Sequence, residues 1–200
     1  LASSVMIGLP AISLAVCALS IILIGAPKMG RVLISALMFA AALQTKLFVF
    51  TLIPAFLIAL ATIQFDKRRL MTLWIIACSG CFFAINLIEG QDFLENLVRP
   101  HLTMTPQEYS YPPSQIMIAR FAKLNPLLAS AGLISLAMII IRIKKANRHD
   151  LIAITWLIVA TIVLLAHFPV WDHQLLLLAV PLAWLGGPVL ASVVDKVTRF

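Results

Sequence analysis

Charge is what this sequence has least of. Only 12% of its 200 residues are Asp, Glu, Lys or Arg, against about 25% in a soluble domain. A chain of this length with so little polar cover cannot hide its apolar surface in water, which excludes a cytosolic enzyme or a disordered tail. Cysteine is scarce too. Cys17, Cys78 and Cys81 all lie inside apolar stretches, so a disulfide-stapled secreted domain is excluded. Cys78-Ser-Gly-Cys81 has redox spacing but no second ligand pair, and both thiols read as small packing residues. Catalytic signatures are missing as well. There is no Gly-x-Ser-x-Gly elbow, no His-Glu-x-x-His, no phosphate-binding glycine loop and no metal set, so serine-nucleophile and metal-hydrolysis chemistry have no residues to stand on. No cofactor is implied.

What fills the space is apolar: 62% of the residues, with a mean hydropathy of +1.04. The sequence opens at Leu1 inside an apolar stretch, without a basic leader, and reads as an internal or C-terminal piece of a longer protein. Runs free of acidic and basic residues occupy 1–27, 32–45, 47–65, 70–88, 124–141, 151–171 and 173–194. A bilayer core needs about 20 residues of helix. All but 32–45 are long enough, and that run is separated from 47–65 by Lys46 alone.

The 15 basic residues outnumber the 8 acidic ones, but they cluster between apolar runs rather than along one face. They read as topology signals, and no nucleic-acid partner is expected. The clusters are Lys28/Arg31, Lys67-Arg68-Arg69, Arg142/Lys144/Lys145/Arg148 and Lys196/Arg199. Placing all four on the cytoplasmic side makes the chain alternate, provided 32–45 and 47–65 are separate passes. The expected fold is therefore an all-α, polytopic transmembrane helical bundle with about seven passes. Residues 1–88 carry four passes. An extracytoplasmic loop follows over 89–125, and three passes over 126–200 end in a cytoplasmic C-terminus. In that loop, 92–98 and 116–123 have helical spacing and read as short surface helices, joined by a proline- and tyrosine-containing link. The two halves show no sequence repeat. The expected location is the inner (plasma) membrane of a bacterium.

Few charges remain once topology is satisfied. Lys46 stands between 14 and 19 uncharged residues, just below the outer surface if the preceding helix is short. It is either a turn lysine reaching for headgroups or a ligand for an anion such as phosphate. Trp171-Asp172-His173 fills an outer turn where Gly, Asn or Ser would be ordinary. It reads either as an interface turn with a belt tryptophan or as a His–Asp pair facing the same recess as Lys46. Arg99 and His101 in the loop are solvated or help to line that recess.

Three stretches, taken in order, resemble the polytopic GT-C glycosyltransferases, the group that includes protein mannosyltransferases (glycosyltransferase family 39) and bacterial aminoarabinose transferases. Ala42-Leu43-Gln44-Thr45-Lys46 with its apolar run to Pro54 is similar to their leucine-x-threonine-lysine segment. Asp92–Val98 before His101 resembles their outer loop, and Trp171-Asp172-His173-Gln174-Leu175 through Val180-Pro181-Leu182 their late leucine-rich span. The resemblance implies transfer of a sugar from a polyprenyl-phosphate donor to a lipid, protein or glycan acceptor on the extracytoplasmic face. It implies Lys46 and His173 at the donor phosphate, with Asp172, Trp171, Arg99 and His101 lining the site. The catalytic aspartate of that group lies in an early outer loop with no counterpart here, and is expected upstream, leaving this fragment inactive alone. The rival reading is a transporter or flippase for a lipid-linked or anionic solute. A purely structural membrane subunit would leave Lys46 and Asp172-His173 without a reason.

Overall fold

The computed structural model describes residues 2–25, 28–63, 66–89, 112–167 and 169–198. Among them there is no strand. The helices are α1 (Ala2–Leu23), α2 (Met29–Thr45), α3 (Ile53–Ala61), α4 (Lys67–Glu89), α5 (Ser114–Leu124), α6 (Pro126–Ile141), α7 (Arg148–Ala166) and α8 (Leu176–Val197). Short 3-10 turns occupy Leu47–Leu52, Ile143–Lys145 and Asp172–Leu175. The chain forms two compact units, Leu1–Tyr111 and Pro112–Phe200.

Lys67–Ile88, Arg148–Ala166 and Asp172–Lys196 are long and apolar enough to cross a membrane, which marks the chain as an integral membrane protein. A fourth candidate is the pair α5 and α6, bent by 102° at its break. That bend agrees with a surface helix over 116–123 that turns into a span. The other apolar helical stretches, Leu9–Leu23, Met29–Thr45 and Leu47–Ala61, are shorter. At about 1.5 Å per residue, the 17 residues of α2 reach about 26 Å, short of a hydrocarbon core of about 30 Å. Helix lengths alone therefore support fewer than seven full crossings. The expected surface helix at 92–98 lies outside the described residues.

In the first unit, α2 packs against α1 and α4, and α3 against α4. Two side-chain hydrogen bonds fix α2 and α4 as parallel neighbours. Trp74 Nε1 donates to Ser35 Oγ at 3.2 Å, and nine residues further along α2, Gln44 Nε2 donates to the Phe82 carbonyl at 2.9 Å. The core is aromatic. Phe56 of α3 has its ring centroid 4.6 Å from that of Phe39 and 4.8 Å from that of Trp74, and all three side chains are fully or nearly fully buried. Such tilted and stacked pairs add to the area they bury.

The run 47–65 is not one continuous helix. Pro54 has no N–H to give to the carbonyl one turn earlier, so the chain before it tightens into a 3-10 turn, and α3 begins with the proline in its first turn. α3 then ends at Ala61.

In the second unit, α8 is the central element, packed on α6 and α7, and α5 lies against both α6 and α7. α6 runs parallel to α8 through a crossing of small residues. A Cβ added at Gly132 would lie 3.1 Å from the Leu182 carbonyl oxygen and 3.2 Å from its Cα. One at Gly186 would lie 3.0 Å from the Ala131 Cβ. Without a water-driven hydrophobic effect between helices, close backbone approach of this kind carries much of the association in lipid. α7 opens with a reciprocal cap: Asp150 N donates to Asn147 Oδ1 and Asn147 N to Asp150 Oδ2, both at 3.0 Å.

Candidate functional site

Lys46 is the break in the first unit. α2 stops at Thr45, whose hydroxyl turns back to the Ala41 carbonyl at 3.0 Å. Lys46 is extended (φ −158°, ψ 115°), and its N–H still closes the last turn on the Ala42 carbonyl at 2.9 Å. The next helical turn starts on Lys46's own carbonyl, which accepts from Val49 N at 3.3 Å. One extended residue between two helical segments projects a side chain that neither segment absorbs. That side chain is half-buried.

Two amides missed by sequence reasoning stand close by. Gln44 Nε2 and Asn86 Nδ2 both donate to the Phe82 carbonyl, at 2.9 and 2.6 Å. The remaining oxygens, Gln44 Oε1 and Asn86 Oδ1, are buried and accept nothing among the described residues. Asn86 is only 5% exposed. An acceptor left open in an apolar surrounding costs free energy until a donor reaches it. The region around the end of α2 therefore combines one cation with two carbonyl oxygens ready to accept from a hydroxyl, an ammonium or water. The signal was available: Asn86 is a polar residue inside an apolar run. A reading that counts only charged interruptions passes over it.

In the second unit, the turn before α8 is built by Gln174. Its backbone N–H donates to the Trp171 carbonyl and its Oε1 accepts from Trp171 N, both at 2.9 Å. This clamp divides the three residues singled out by sequence. Trp171 is half-buried, Asp172 is exposed and His173 is buried, so Asp172 and His173 meet different surroundings. Upstream, Ser114 Oγ donates to the His167 carbonyl at 2.7 Å, pinning the start of α5 to the end of α7. Gln174 is 3% exposed, and its Nε2 donates to nothing among the described residues.

Lys46 belongs to the first unit and Trp171, Asp172 and His173 to the second. A recess shared by them is a feature of neither unit by itself. Arg99 and His101 lie outside the described residues. No group of three or more metal-binding side chains occurs among the described residues.

Together the helices and their apolar length define a class, an all-α integral membrane protein. Beyond that class, comparison with protein-family models, curated proteins and solved structures finds no match for this chain. The likeness to GT-C transferases therefore rests on the motifs that carry it.

Proposed function

We propose that this chain is the donor-binding part of a bacterial inner-membrane glycosyltransferase of the GT-C kind, which takes a sugar from a polyprenyl-phosphate carrier on the extracytoplasmic face. Seven passes, with the basic clusters inside, put Lys46 and the Trp171-Asp172-His173 turn on the outer side. The observation that carries the reading is Lys46, a single extended residue between two short apolar helices, half-buried and facing no carboxylate among the described residues. A cation held there matches what a leaving polyprenyl phosphate needs, a positive charge close to the developing negative one. Gln44 and Asn86 offer acceptors to sugar or acceptor hydroxyls. The aspartate that would act as base has no counterpart in these 200 residues, so the chain is expected to bind donor without transferring sugar.

Binding is therefore the test. The chain in lipid nanodiscs is titrated with radiolabelled polyprenyl phosphate. A charge-assisted contact of about 1.5–3 kcal/mol predicts that Lys46→Ala binds about 10- to 100-fold more weakly. Unchanged affinity removes the phosphate role from Lys46 and with it the main support for the reading. The broken segment Leu47–Leu52 followed by α3 favours a second reading, a transporter or flippase of a lipid-linked or anionic solute, since transporters place interrupted helices at their binding sites. Movement of polyprenyl phosphate across proteoliposomes holding this chain would select it.

A further inference from the structure

The end of the second unit opposite the Trp171 turn carries a feature that the donor reading does not use. α6 ends at Ile141, and a tight turn follows: Arg142 N–H bonds back to the Ile139 carbonyl at 3.0 Å, and Lys145 N–H to the Arg142 carbonyl at 2.7 Å. This turn holds Arg142 and Lys145 at the rim of a cavity of about 280 Å³ that Met138, Ile139 and Asp150 also line. Met138, Ile139 and Asp150 line a second cavity of about 400 Å³, which continues between α6 and α8 past Ile134, Leu185, Val189 and Val193. The two spaces share walls and form one groove, with a cationic mouth and an apolar slot.

Neither cation is neutralised from within. Arg142 and Lys145 are exposed and form no ion pair among the described residues. Asp150, the one acid in the groove, accepts the Asn147 N–H at a carboxylate oxygen in the cap of α7, where the helix's positive end already answers its charge. The slot is open on its side, with Ile134 51%, Met138 48% and Val193 53% exposed.

We propose that this groove binds an anionic glycerophospholipid of the leaflet on the Arg142–Arg148 side, its phosphate against Arg142 and Lys145 and one acyl chain along the α6–α8 slot. A free anion would satisfy the cations and leave the slot empty. A zwitterionic lipid would fill the slot and bring its own positive charge to two cations. Only an amphiphile with a net negative head matches both halves. Basic pockets between spans commonly hold such headgroups. The site is independent of donor binding, because Lys46 and the 171–173 turn take no part in it.

The test counts bound lipid by native mass spectrometry on the full chain in neutral detergent. The chain is titrated with phosphatidylglycerol or phosphatidylcholine of equal chain length. Two cations at about 1 kcal/mol each predict a preference for phosphatidylglycerol of about 30-fold. Arg142→Glu with Lys145→Glu abolishes the preference, whereas Arg142→Lys with Lys145→Arg keeps it. Val189→Trp, which fills the slot, weakens retention of both lipids, and millimolar inorganic phosphate displaces neither. Equal retention of the two lipids overturns the proposal. So does an equal loss of preference in Arg68→Glu with Arg69→Glu, which would make the effect one of diffuse charge. Displacement of phosphatidylglycerol by inorganic phosphate would reduce the site to a free-anion contact and also overturn it.

Discussion

The crossing of α6 and α8 at Gly132 offers a quantitative test of how the second unit holds together. A Cβ at this position would sit 3.1 Å from the Leu182 carbonyl oxygen and 3.2 Å from its Cα, inside ordinary van der Waals contact. The nearest atom, Leu182 Cδ2, can rotate away, but these two are backbone and cannot, so α6 and α8 must separate. Gly132→Ala gains about 1 kcal/mol of helix propensity, which offsets part of an overpacking cost of about 1–3 kcal/mol. Its net effect is a loss of about 0–2 kcal/mol. Gly132→Leu forces the helices apart by much of a side chain and loses about 3 kcal/mol or more, because the contacts of Ala129, Ala131 and Leu185 open together.

Gly186 is coupled to the same crossing, since its added Cβ would lie 3.1 Å from Gly132 N. Once one substitution has parted the helices the second costs less, so the double alanine variant should lose less than the sum of the singles. Gly80 in α4 is the control, with nothing within 4 Å of an added Cβ. Gly80→Ala should be neutral or stabilise by up to about 1 kcal/mol. Unfolding of the purified chain by sodium dodecyl sulfate, followed by circular dichroism, reads these differences. A Gly132→Leu protein unfolding at the wild-type mole fraction of detergent would refute the close-packing argument. So would Gly80→Ala losing as much as Gly132→Ala.

Three further outcomes are expected from the same structure. Ser35→Ala leaves the Trp74 indole N–H buried without its acceptor and should cost about 1 kcal/mol or more, while Ser35→Ala with Trp74→Phe should cost less than the separate losses combined; detergent unfolding of the four proteins checks this. Ser114→Ala releases the start of α5 from the His167 carbonyl, so amides over 116–124 should exchange faster by hydrogen–deuterium mass spectrometry while those of α8 keep their protection. Gln174→Leu removes the acceptor of Trp171 N–H and should loosen the turn before α8 by about 1 kcal/mol, read as faster exchange over 171–176.

Much of the helical layout was legible because apolar runs and their interruptions are local properties of the chain. The runs 70–88, 124–141, 151–171 and 173–194 each overlap most of an observed helix, and the break at Lys46 falls where charge interrupts the pattern. Helical spacing over 116–123 marked α5, observed at Ser114–Leu124. The segment 47–65 read as one pass because its composition is uniformly apolar. Pro54 splits it by removing a hydrogen bond, which composition does not register. At the candidate site, Lys46 was found by its charge, whereas Gln44 and Asn86 were passed over. Their importance lies in both reaching the Phe82 carbonyl from different helices, a coincidence that neither helix's own pattern contains.

By itself, then, the sequence determined that this protein belongs in a membrane, where its helices run and where its scarce charges interrupt them. Those features follow from burial and backbone hydrogen bonding acting residue by residue. Only the tertiary structure decided which small residues bring α6 onto α8, that Asp172 and His173 meet different surroundings, and that Arg142 and Lys145 open onto an apolar slot. Each of these depends on residues many turns apart in the chain meeting in space, and a periodicity read along one helix holds no record of what the next helix brings to it.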